Sequence, residues 1–200
     1  MININYDKKQ IEEVLLTEYM KSEVNKYEEL MKWYSYLITS DSYTFYERKG
    51  FEYFFMTYYG MDGTGMYDSS KEKYFKLLFD NTRNKSIDLK TVLNEISNTT
   101  VYFSFATKLF ATIDTSKPIF DDRVRRALGL PNVSGKNYEE RIESAIKIYV
   151  DLENFYNSEE KNYKDFRCNC VSVFNEVYDN NCISNEKKID FVLWGLVALI

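Results

Sequence analysis

Residues 101–131 read VYFSFATKLFATIDTSKPIFDDRVRRALGLP, and both prolines of the chain fall within them. Val101, Phe105, Leu109 and Ile113 recur every fourth residue, the spacing of one helix face, and Thr99 or Thr100 is expected to cap that helix. Pro118 disfavours helical backbone at Lys117, so the run ends there in a true break. A second helix is expected to open on Asp121 or Asp122 and to stop at Gly129 and Pro131. Helix, turn, helix is the pattern this stretch sets for the rest of the chain.

Composition agrees. The 200 residues include only 7 Gly and 2 Pro, too few turn formers for an all-β protein of many short strands. A chain of this length buries roughly 70% of its unfolded surface and needs no staple. Tyr 18 and Phe 14 are high counts, and they bring large buried area with specific ring geometry. The net charge of −5 argues against a surface that coats nucleic acid or an anionic membrane throughout. With no His, general acid–base chemistry falls to Asp, Glu, Lys, Tyr or Cys, and a zinc site has no imidazole to use. Cys168, Cys170 and Cys182 are an odd set without C-x-x-C spacing and read as reduced thiols, with no metal or cofactor implied. MININYDKK carries no targeting pattern, and FVLWGLVALI is shorter than the about 20 apolar residues that span a bilayer, so the chain reads as cytoplasmic with no membrane partner.

The fold expected is all-α, a compact, two-lobed helical domain of about eight to ten helices over residues 1–200, with candidate lobes 1–98 and 99–200. Asp7 and Gln10 form a capping box for a helix over 8–20, and a second amphipathic segment follows from Ser22. A densely aromatic stretch gives a helix over 44–59 with Gly50 as a candidate break. Its rings read as core packing, or as a stacking platform for bases. Residues 60–70 are a loop, Ser70 opens a helix through Phe79, and Asp88 caps one over 89–97. Asn137 and Glu140 open a long helix to Tyr156, another covers 161–178, and a last one runs from about 186 to the end, apolar on most sides.

The central stretch also carries the candidate chemistry. Ser104 and Lys108 lie four residues apart on one stripe and so point toward one place. Asp121 sits at a helix N-terminus, where backbone N–H groups and the helix dipole favour its charge. Arg123, Arg125 and Arg126 follow at once. In residues 101–131 five cations oppose three carboxylates, a local +2 in a chain that is −5. A small basic patch beside a fixed carboxylate suits gripping an anionic backbone while one centre reacts.

PIFDDRVRRALGL resembles the segment P-x-x-V-D-x-x-V-x-R of the helix-hairpin-helix DNA glycosylases of the 8-oxoguanine type. Asp121 stands at the position of their essential aspartate, Val124 at the following valine and Arg126 at the following basic residue. The resemblance implies a two-lobed all-helical enzyme of base excision repair, a hydrolase that cleaves the N-glycosidic bond of a damaged base flipped into a pocket. It makes Asp121 the group that stabilises developing positive charge on the sugar, Lys108 an imine-forming nucleophile or phosphate contact, and Ser104, Arg123, Arg125 and Arg126 DNA contacts. The chain departs from the family where the hairpin G-V-G-x-K should lie: Thr100 to Ser104 hold no glycine, and Ser104 replaces the lysine. Another class stands beside this one, a non-catalytic helical interaction or regulatory protein that self-associates as a homodimer through its apolar C-terminal helix.

Overall fold

The computed structural model describes residues 4, 6–40, 42–82, 87–178 and 182–198, and these form ten α-helices with no strand among them. In chain order they are α1 (Lys8–Leu15), α2 (Glu18–Thr39), α3 (Phe45–Tyr58), α4 (Asp68–Asp80) and α5 (Leu89–Ile96). The second half holds α6 (Phe103–Ile113), α7 (Asp122–Leu128), α8 (Tyr138–Asn157), α9 (Lys161–Val177) and α10 (Asn185–Ala198).

Side-chain caps fix most starts. Asp7 and Gln10 make the expected capping box of α1, Thr44 and Glu47 make another for α3, and Asp88 accepts from Thr91 N to start α5. The helix expected over 8–20 is two helices. Thr17 ends the first by donating its hydroxyl to Val14 O, and begins the second by accepting from Met20 N. Gly50 does not break α3. It lets α3 approach α2, since a Cβ there would lie 2.9 Å from the Trp33 ring. Neither Thr99 nor Thr100 caps α6. The helix opens at Phe103, after Tyr102 N donates to Ser97 Oγ.

One apolar cluster runs through the whole set of helices. α10 lies at its centre, against α7, α1, α9 and α2, and α1 also packs on α9. Ile189, Phe191, Val192, Leu193, Leu196 and Val197 of α10 are buried inside this one chain. The apolar side chains of α10 that suggested a homodimer surface are thus covered within the chain itself. α6 is likewise buried on nearly every side, from Phe103 to Ile113. The aromatic stretch divides: Phe51 and Phe55 are core, while Phe45, Tyr46 and Tyr53 face solvent. Within the described residues no helix is long and apolar enough to cross a membrane.

Candidate functional site

The turn between α6 and α7 is held from two sides. Thr107 Oγ1, on α6, accepts from Phe120 N at 3.0 Å, and its proton lies within reach of Ser104 O and Phe120 O. Phe103 and Phe120 pack with ring centres 4.3 Å apart, and the Tyr149 hydroxyl donates to Pro118 O. Once Phe120 is pinned beside Thr107, Asp121 is carried to the neighbourhood of Lys108. Asp121 caps α7 by accepting from Val124 N at 2.9 Å. The far end of α7 closes on Gly129, at φ 64°, with Leu130 N donating back to Arg125 O. Those are the bonds and the left-handed residue of a Schellman ending.

Lys108 and Asp121 both line a cleft of about 480 Å³, within the range of small-molecule sites. Its walls are aromatic, with Phe54, Tyr58 and Tyr59 from the end of α3 and Phe191 and Trp194 from α10. Tyr19, Glu23 and Lys26 of α2 also line it. Lys108 is buried, and its Nζ lies over the rings of Phe105 at 5.1 Å and Tyr59 at 5.4 Å rather than in an ion pair. Loss of water pushes its pKa below the usual lysine value. Asp121 and Asp190 oppose that shift, and Lys187 adds to it.

Two further charged residues sit in the cleft. Lys187 and Asp190, one turn apart on α10, form a buried ion pair. Burial holds the Asp190 carboxyl above the usual carboxylate range, against the pull of Lys187 and Lys108 and with a push from Asp121. Lys187 Nζ also lies over the rings of Tyr27 and Phe191. Asp190 Oδ1 is buried with no hydrogen-bond partner among the described residues.

The remaining expected site residues separate. Ser104 is half-buried one turn before Lys108 and does not line the cleft. Arg123 is half-buried with its guanidinium 3.8 Å above Trp194, whose ring stacks on Tyr19 at 5.3 Å. Arg125 and Arg126 both reach Asp122, at 2.8 and 3.3 Å, outside the cleft. Sequence reasoning missed Thr107, Lys187, Asp190 and Trp194. One signal was available: Lys187 and Asp190 stand in the first turns of a helix that is apolar on most sides, and charged residues are rarely buried unless paired. Cys168, Cys170 and Cys182 are free thiols, and no cluster among the described residues could hold a metal ion.

No protein-family model matches this chain, and no curated protein or solved structure does either.

Proposed function

We propose that the protein is a divergent DNA-glycosylase-like enzyme, which binds nucleic acid and cleaves the N-glycosidic bond of a base drawn into the cleft. The observation that carries this reading is the meeting of Lys108 and Asp121 in one aromatic-walled cleft of nucleoside size. Lys108, with its proton affinity lowered by burial, is the nucleophile. Its neutral amine forms a bond to the sugar C1′ as the C1′–N bond to the base breaks, and the bonding pair leaves with the base. One proton of the new secondary ammonium passes to the departing base, and the C1′–O4′ bond then opens with the remaining N–H proton moving to O4′, which gives an imine. Asp121, fixed at the start of α7, stabilises the positive charge that develops on the sugar during bond cleavage. The aromatic walls supply faces on which an extruded base stacks.

The test is incubation with duplexes and single strands carrying 8-oxoguanine, uracil or alkylated bases, with borohydride present to trap the imine. Base release and a trapped adduct lost in Lys108→Met are expected. No release, no adduct and no binding at low salt would sink the proposal. Asp121→Asn should lower the rate by about 100-fold or more, the scale on which a positioned electrostatic group acts. Its thermal stability should stay near wild type, because Asn caps a helix about as well as Asp.

A further inference from the structure

Asp190 is 5% exposed and belongs to the cleft lining, yet among the described residues only one of its oxygens is bonded. Lys187 takes Oδ2, and Oδ1 has no partner among them. A buried carboxylate with an empty acceptor is costly to keep, since each oxygen has room for two hydrogen bonds. Asp190 borders two spaces. One is a void of about 10 Å³, at the lower limit for a single water, and the other is the cleft of about 480 Å³. The rings of Tyr58, Tyr59, Phe191 and Trp194 line that cleft. The lining carries three lysines, Lys26, Lys108 and Lys187, and three carboxylates, Glu23, Asp121 and Asp190, so it selects no ligand charge, and a neutral N–H is a donor that satisfies Oδ1.

We infer that Asp190 is the specificity-determining group of the cleft: its Oδ1 accepts a hydrogen bond from a ring-edge N–H of the bound base, so the ligand is a nucleobase that carries such a donor. This rests on the nucleic-acid reading of the same cleft and goes further by naming the edge that is read. Lys187 is the positioning residue. It anchors Oδ2 from one turn away and leaves Oδ1 turned to the ligand.

Calorimetric titration of the full chain with free 2′-deoxynucleosides tests this, each compared with a counterpart that lacks the donor. The pairs are deoxyadenosine against purine 2′-deoxyriboside, and deoxyuridine against its N3-methyl derivative. At least one donor-bearing nucleoside should bind, and its counterpart about 10- to 100-fold more weakly, the worth of a hydrogen bond to a charged group. That discrimination should fall to near unity in Asp190→Asn and in the double variant Lys187→Met, Asp190→Leu. The double variant removes both charges together and so leaves no unpaired ion in the core. Should either variant fail to fold, the wild-type pairs alone decide. The inference is overturned if no nucleoside binds at millimolar concentration or if donor-bearing and donor-free members bind alike. It is equally overturned if the double variant keeps the discrimination, or if a liganded crystal structure shows only a water on Oδ1. The outcomes separate from those of the cleavage assay. Nucleoside discrimination without base release removes the enzyme and keeps the role of Asp190, while base release without discrimination does the reverse.

Discussion

Taking an ammonium group out of water without a close ion pair costs stability, and among the described residues Lys108 is in that position, under the rings of Phe105 and Tyr59 with Asp121 and Asp190 acting only from farther off. Its pKa in the folded chain is depressed, so between that value and the ordinary lysine value of about 10.4 the unfolded chain binds more protons than the folded one. Stability therefore rises with pH through this window, and the penalty is fully present below it. Lys108→Met should match or exceed wild type in thermal stability at pH 7, with the difference shrinking as pH rises toward 10. Melting curves of both proteins at several pH values check this. A Met variant that is less stable at pH 7, or a difference that ignores pH, would mean the amine is solvated or paired. Lys108 and Asp121 were legible in the sequence because each depends on local features, a helix register and an N-cap. Ser104 was grouped with them on the same stripe, but four residues along a helix is about 6 Å of rise, and the cleft opens at the Lys108 level. Lys187, Asp190 and Trp194 come from the far end of the chain, and no local rule links them to residue 108.

At the scale of single helices, several caps were readable and the packing constraints were not. Asp7, Asp88, Asp121 and Asn137 each accept a hydrogen bond from the first turn of a helix, whereas the Thr44 cap went unread. The break at Thr17 was hidden because neither Gly nor Pro marks it: Leu16 closes the first helix and Thr17, in extended backbone, caps the second. The close contact of α10 with α1 was hidden too. Gly195 sits where a Cβ would collide with Val14 Cγ1, an overlap that a stiff β-branched side chain does not absorb cheaply. On helix propensity alone Gly195→Ala would stabilise by about 1 kcal/mol. Overpacking costs about 1–3 kcal/mol and acts at once, so the net effect should be destabilising by up to about 2 kcal/mol. Val14→Ala removes the clashing methyl, and in a double-mutant cycle the pair should be less destabilised than the sum of the singles. Additive effects in chemical denaturation would show that α1 and α10 do not meet as described.

The whole molecule is acidic, and its cations near the cleft are mostly engaged. Lys26 pairs with Glu23, Arg125 and Arg126 share Asp122, and Arg123 is stacked on Trp194. α10 draws these parts together, since it packs on α7, which carries the arginines, and on α2, which carries Tyr19 and Lys26. Under the proposed function a polynucleotide meets aromatic faces and a buried acceptor rather than a broad basic surface, and its binding should depend weakly on salt. Each phosphate neutralised contributes about −0.9 to the slope of log K against log salt on duplex DNA. With few cations free of carboxylate partners around the cleft, the slope expected is about −1 to −3. Fluorescence titration of a labelled oligonucleotide between 50 and 300 mM salt would measure it, a range chosen to span the regime where counterion release dominates. A slope of about −6 or steeper would mean that Arg125 and Arg126 leave Asp122 to grip the backbone. In that event the basic segment that follows Asp121 is a phosphate track, and stacking is the lesser part of recognition.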